Sequence, residues 1–324
     1  MNNKEYDLLF KDYARLVIEK LQSDELSSIF SDCTQYLNSH IQTMPAWQIA
    51  LPVISCMAAG GSIDDGIILA SAWVSLNFAS EILDNIEDKE LTTDQFFSSP
   101  EVASNIAVGL IFSAFKILSS IQDTKKSNQI TRILSNCGLD AAYGQHRDLT
   151  QEQLSVELVL NNYWEIIILK AGSVFRAATQ GGAIIAGSNE MISEALGDYG
   201  TALGVMLQLI DDCRDAFSRS EETINWENSL PLLLYLMAVG EERIAFPKIK
   251  SRAEWSDLLQ KSGVIHALAE LILQWKSRAL ESLSSLSQSR ERLILESIPS
   301  LILERIPSIS NEVVDEHSSR SELS

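Results

Sequence analysis

Residues 206–217 read MLQLIDDCRDAF, and the reading of the whole chain turns on this stretch. An apolar run passes directly into three aspartates, Asp211, Asp212 and Asp215. In an α-helix Asp211 and Asp215 stand one turn apart on one face, with Asp212 beside them and Gln208 one turn earlier. Like charges stacked this way repel by about a few tenths of a kcal/mol in open water, and by more where water is excluded. Either solvent or a bound cation must offset that repulsion.

A second cluster decides between the two. Residues 75–90 read SLNFASEILDNIEDKE, in which Glu81, Asp84 and Asp88 fall on one helix face and Asn85 shares it. Solvated carboxylates at a helix end are the plain alternative for either cluster alone. Both clusters, however, follow apolar runs long enough to be buried. Both also lie toward a helix C-terminus, where the macrodipole is unfavourable to carboxylates unless a cation is present. Mg²⁺ fits this chemistry: it takes oxygen ligands, keeps several waters and binds one or two carboxylates together with substrate phosphate. Two acidic helices opposed across a cavity would hold several Mg²⁺ ions against one diphosphate. The ions would neutralise the charge that develops as the diphosphate leaves.

Composition bounds the remaining possibilities. The chain has 324 residues, 46% hydrophobic and 21% charged, with a formal net charge of −19. That sign repels phosphate backbones and disfavours nucleic-acid binding. Cys33, Cys56, Cys137 and Cys213 are scattered and form no CxxC pair, so a structural zinc site has no support. The opening residues lack the n- and h-regions of a signal peptide, and no uninterrupted apolar run reaches the eighteen or so residues of a spanning segment. The expectation is a soluble cytoplasmic protein.

Helical periodicity runs almost throughout. It predicts helices near 3–22, 24–39, 45–59, 63–89, 100–122, 126–148, 157–187, 190–218, 228–240, 251–261, 264–286 and 289–305. Gly60-Gly61 separates the third from the fourth, and Ser62 supplies N-cap chemistry. The stretches 66–83, 166–187 and 200–210 are apolar or small on nearly every face, as expected of helices inside a bundle. The prediction is one all-α domain over 1–305, a helical bundle around a central apolar cavity, with a polar, disordered tail at 306–324.

Four segments in order then resemble the trans-isoprenyl diphosphate synthase (polyprenyl synthetase) family. DNIED at 84–88 is similar to its first aspartate-rich motif, DDxxD, and DDCRD at 211–215 to its second. GQHRDL at 144–149 resembles GQxxDL, and LKAGSVF at 169–175 resembles KTGxLF. The resemblance spans about residues 45 to 285. It implies an isoprenoid-synthase bundle acting as a homodimer on a prenyl diphosphate, with about three Mg²⁺ ions held by Asp84, Asp88, Asp211, Asp212 and Asp215. It also implies diphosphate contacts from Lys170, Gln145, Gln208 and Arg219, with Lys170 as a charge-assisted donor. Mostly small residues before the first motif, Ala72, Leu76, Ala79 and Ser80, together with Phe175, are read as cavity wall. At 1.5 Å per residue Ala72 lies about 18 Å from Asp84, a depth that suits a chain of roughly fifteen to twenty carbons.

The chain also departs from the family. Elongating members bind isopentenyl diphosphate through a GGKRxRP segment before the first motif and an arginine pair after it. Here the first place reads HIQTMPAWQIALP at 40–52, and no Lys or Arg lies between Lys20 and Lys89. The second reads DKELTTDQFF, with one lysine and no arginine. A second diphosphate left unpaired would cost several kcal/mol, on the order of the penalty for any desolvated ion. The main expectation is therefore a terpene synthase, whose allylic cation cyclises or is quenched beside Trp73, Phe78, Tyr143, Tyr163, Trp164 and Phe175. The alternatives are transfer to another acceptor, such as a peptide tryptophan or isopentenyl diphosphate, and a non-catalytic subunit, to which Asn85 in place of an aspartate lends weight.

Overall fold

The computed structural model describes residues 3–22, 44–89, 97–150, 155–217, 229–241 and 252–304. Every element among them is helical: α1 (Asn3–Gln22), α2 (Ala46–Ala58), α3 (Ile63–Glu87), α4 (Pro100–Leu118), α5 (Thr124–Leu149), α6 (Val156–Ile167), a π-helical stretch (Ile168–Gly172), α7 (Ser173–Ala186), α8 (Glu190–Phe217), α9 (Leu230–Ala238), α10 (Arg252–Lys261), α11 (Val264–Ser282), a 3₁₀ turn (Leu283–Ser285) and α12 (Arg290–Leu303). The fold is all-α, as the periodicity predicts.

Local chemistry starts these helices. Ser62 takes extended backbone and its hydroxyl accepts from Asp65 N at 3.1 Å, with Asp64 and Asp65 in the first turn of α3. Ser99 caps α4 by accepting from Val102 N, and Pro100 follows where its missing N–H is harmless. Asp123 opens α5 by accepting from Lys125 N and Lys126 N. Gly60, with φ of 88°, makes the left-handed turn between α2 and α3.

Contacts divide the chain into two compact units. The first comprises Met1–Leu139, Val174–Gly200 and Leu283–Glu296. In it α3 is flanked by α1, α2 and α4. That explains why α3 is apolar on nearly every face, since Leu69, Ala70, Ala72, Trp73, Val74, Phe78 and Ile82 are all buried. Each large side chain among them contributes about 1.5–3 kcal/mol by leaving water. The Trp73 indole N–H donates to the Val174 carbonyl at 2.8 Å, and its ring meets Phe175 edge-on at 5.8 Å. The second unit comprises Asp140–Ser173, Thr201–Ser282 and Ser297–Ser324. There α9 packs on α6 and α11, and α10 packs on α11. Leu203, Val205, Met206, Leu209 and Ile210 of α8 are buried within it.

Two differences from the expected layout have physical reasons. The predicted helix 157–187 is not uniform: it changes to π geometry for five residues, too short a stretch to disturb a 3.6-residue pattern. By length and composition α3 and α4 are apolar enough to cross a membrane, because scattered Ser and Asn interrupt their runs without lowering the average much. Their most apolar windows are 61% and 44% buried inside the protein. The predicted helix 24–39 and the tail 306–324 lie outside the described residues.

Candidate active site

The first acid motif belongs to the first unit. It occupies the last turn of α3, with Asp84 and Asn85 half-buried and Glu81 and Asp88 exposed. Asp88 is the C-cap residue, and its N–H donates to the Asp84 carbonyl at 2.9 Å. The next residue, Lys89, holds a left-handed backbone with φ of 61°. Glycine ordinarily fills that position after a helix; lysine there accepts strain but places its charge at the negative end of the dipole. Lys89→Gly is expected to raise unfolding stability by about 1 kcal/mol, measured by urea denaturation.

The other three motifs meet in the second unit. Lys170 lies in the π-helical stretch, and its ammonium donates to Asp148 Oδ2 of the GQHRDL segment at 3.2 Å. Its side chain is 24% exposed and that of Asp148 37%, so the pair is partly desolvated. Gly144 explains how the two segments come so close. A Cβ there would sit 3.0 Å from Lys170 Cγ and 3.0 Å from Leu169 Cβ. On the same helix Arg147 binds the Glu165 carboxylate and donates to Asn162 Oδ1 at 2.9 Å, fixing the end of α5 to α6.

The second acid motif ends α8. Asp212 is held tightly: the Tyr163 hydroxyl donates to its Oδ2 at 2.8 Å, Gln208 Nε2 to its Oδ1 at 2.9 Å, and the Leu230 N–H to its Oδ2 at 3.2 Å. Burial, and then the neighbouring Asp212 carboxylate, push the Tyr163 phenol well above its usual pKa, so it stays protonated and donates. Cys213 and Asp148 push it weakly in the same direction. Asp211 is half-exposed and pairs with Arg214 on its own helix at 3.3 Å. Cys213, inside the motif, is buried and its thiol pKa is pushed up by burial, leaving a neutral, inward-facing group.

The predicted residues therefore fall into distinct groups. Gln208 and Tyr163 both hold Asp212, and Lys170 pairs with Asp148. Gln145 lies on α5 next to Gly144, and its Oε1 is buried without a hydrogen-bond partner, an acceptor that awaits a donor. Asp215 lies within α8 four residues after Asp211. Arg219 lies outside the described residues. Ala72 and Ala79, at 0% and 1% exposure, are buried in α3, which packs on α1, α2 and α4. Leu76 is half-buried, Ser80 is exposed, and Phe175 is buried against Trp73 and Trp47. Of the proposed cation-facing aromatics, Tyr143 is exposed beneath the Arg147 guanidinium. Sequence reasoning did not single out Asp148, although the GQHRDL segment contains it, and it read Tyr163 only as an aromatic ring, whereas its hydroxyl is what meets Asp212.

The donor set fits a hard divalent cation. It offers carboxylate oxygens, the one thiol among them is turned inward, and Gln145 Oε1 is free to accept from a metal-bound water. Among the described residues no three Asp, Glu, His or Cys side chains gather closely enough to chelate a metal by themselves.

Comparison with known proteins extends these observations. A short chain isoprenyl diphosphate synthase of Methanocaldococcus jannaschii is 28% identical over 171 residues, which is 51% of this chain and 51% of that protein. The chain thus aligns with about half the length of that relative. A geranylgeranyl pyrophosphate synthetase from Pyrococcus horikoshii Ot3 superposes with a TM-score of 0.78 at 22% identity, covering 94% of this chain and 100% of the other. A polyprenyl synthase from Caulobacter crescentus CB15, solved with calcium and isoprenyl diphosphate, superposes with a TM-score of 0.71 at 22% identity over 92% and 94% of the two chains. These likenesses establish the fold. The sequence model of the polyprenyl synthetase family matches residues 51–225, more than half of the chain and every one of the four motifs, so the chain belongs to the polyprenyl synthetase family.

Proposed function

We propose that the protein is a metal-dependent prenyltransferase that ionises an allylic prenyl diphosphate and passes the prenyl group to an acceptor. The observation that carries this reading is a pair of contacts within the second unit: Lys170 donates to Asp148 of the GQHRDL segment, and Tyr163 and Gln208 both donate to Asp212 of the second acid motif. In this reading Lys170 exchanges Asp148 for a phosphate oxygen, and the Gly144 contact holds its stem. Gln208 and Gln145 contribute polar contacts, as does Arg219. Asp84, Asp88, Asp211 and Asp215 hold the ions, with Asp212 beside them; water and phosphate oxygens complete each shell, as Mg²⁺ prefers. Bound Mg²⁺ supplies neutralisation of the charge that builds on the departing diphosphate. Calcium and isoprenyl diphosphate in the Caulobacter crescentus relative support this reading. A homodimer in the cytoplasm completes the proposal.

The expectation of a terpene synthase gives way here to group transfer, because the relatives described above are prenyl diphosphate synthases. Quenching without an acceptor stays as the second reading on one specific observation, the absence of Lys and Arg between Lys20 and Lys89. The test is an assay with Mg²⁺ and farnesyl or geranylgeranyl diphosphate, with and without isopentenyl diphosphate or a tryptophan-containing peptide. A longer or transferred prenyl product is expected. Hydrocarbon or alcohol from the donor alone would select the second reading, and no pyrophosphate under any condition would leave the non-catalytic subunit. Lys170→Gln is expected to lower kcat/KM about 10- to 100-fold, the worth of one charge-assisted hydrogen bond. A donor series from ten to twenty-five carbons tests the proposed length of about fifteen to twenty.

A further inference from the structure

We infer that Tyr163 is a positioning residue for the second acid motif, acting through Asp212. This rests on the reading of Asp211 and Asp215 as metal ligands given above. Asp212 accepts from three different parts of the second unit: the phenol of α6, an amide one turn earlier on α8, and the first backbone N–H of α9. The last contact fills a specific gap. The first N–H groups of a helix have no partner within it, and Ser229, the N-cap residue of α9, makes no side-chain cap. Pro231 has no N–H to satisfy, so the Leu230 N–H falls to Asp212, whose charge also suits the positive end of α9.

Asp212 is therefore a bracket between three helices, with both carboxylate oxygens taken by protein donors. That leaves it a supporting role, while Asp211, one residue earlier, points to the half-exposed side of α8. Tyr163 is the member that holds the bracket from outside the motif. It is 7% exposed, and its ring stands edge-on to Trp164 at 5.5 Å, so phenylalanine can fill its place with loss of the hydroxyl alone. Losing a group that orients a ligand-bearing segment typically lowers metal affinity rather than abolishing the fold.

The experiment is a double-mutant cycle on the full chain with Tyr163→Phe, Asp212→Asn and the pair, reading the affinity for Mn²⁺ with inorganic pyrophosphate by calorimetry. The Mg²⁺ concentration for half-maximal activity and the KM for the prenyl diphosphate at saturating Mg²⁺ are read in parallel. Tyr163→Phe is expected to weaken metal binding about tenfold with KM within about twofold, and the double variant to be no worse than Asp212→Asn. Hydrogen exchange at the Leu230 amide should quicken in Tyr163→Phe without metal. Unchanged metal affinity in Tyr163→Phe, or effects that multiply in the double variant, would overturn the inference. If the wild-type protein itself binds no metal with pyrophosphate, the functional reading fails first, and this one with it.

Discussion

Asp211→Ala is expected to lower turnover of the prenyl diphosphate by about two to three orders of magnitude, and Asp84→Ala by a similar factor. The magnitude follows from the charge that must be neutralised. A leaving diphosphate in a chain of net charge −19 meets a repulsive field, and a metal held at these carboxylates offsets several kcal/mol of it, on the order of tenfold in rate for each 1.4 kcal/mol. Folding should hardly notice the Asp211 change. Its side chain is 50% exposed and pairs with Arg214 on the same helix, an arrangement worth about 0–1 kcal/mol. Loss of activity with an unchanged melting temperature is thus the expected pair of results. Asp257→Ala serves as the control, since that acid is also exposed and paired with Lys261 four residues on. Activity in Asp211→Ala within tenfold of the wild type would remove the metal site from the proposed mechanism.

The second large effect is on stability. Gly204 of α8 lies against the π-helical stretch, and a Cβ there would stand 2.3 Å from the Ala171 carbonyl oxygen and 2.7 Å from its carbon. Backbone cannot swing aside as a flexible side chain does, so Gly204→Ala forces the segment bearing Lys170 away from α8. Overpacking of this kind costs roughly 3 kcal/mol, which for a chain of this size lowers the melting temperature by about 10 °C. Activity should fall further than stability explains, because Lys170 moves with Ala171. Gly138→Ala is the contrasting variant: nothing lies within 4 Å of its Cβ, and replacing a helical glycine there should add about 0.5–1 kcal/mol. Equal melting temperatures for Gly204→Ala and the wild type would show that α8 and the π-helical stretch are looser than described.

Much of the fold was legible because helix chemistry is local. Ser62 announces a helix start by its own side chain and the structure uses it as a cap; Ser99 and Asp123 cap their helices in the same local way. The acid motifs announce themselves through spacing alone. The rest depends on contacts between residues distant in the chain. Tyr163 reaches Asp212 across 49 positions, and Lys170 reaches Asp148 across 22, so neither pairing leaves a periodic trace. Small side chains such as Ala72 and Ala79 line a groove and allow close packing equally well, so their spacing alone does not separate the two roles; both are buried. Acceptor choice was illegible because it rests on charges that are absent rather than on residues that are present.

The five residues of π geometry have an arithmetic consequence. Their hydrogen bonds close over one residue more than an α-turn, so the turn absorbs an extra position without breaking the rod. Deleting a single residue between 168 and 172 would leave a regular, equally apolar helix, yet swing one flank by about 100° about the axis relative to the other. A deletion on the N-terminal side of Lys170 would turn it away from Asp148. A one-codon deletion in this stretch would therefore separate Lys170 from its counter-charge while leaving the helix itself regular.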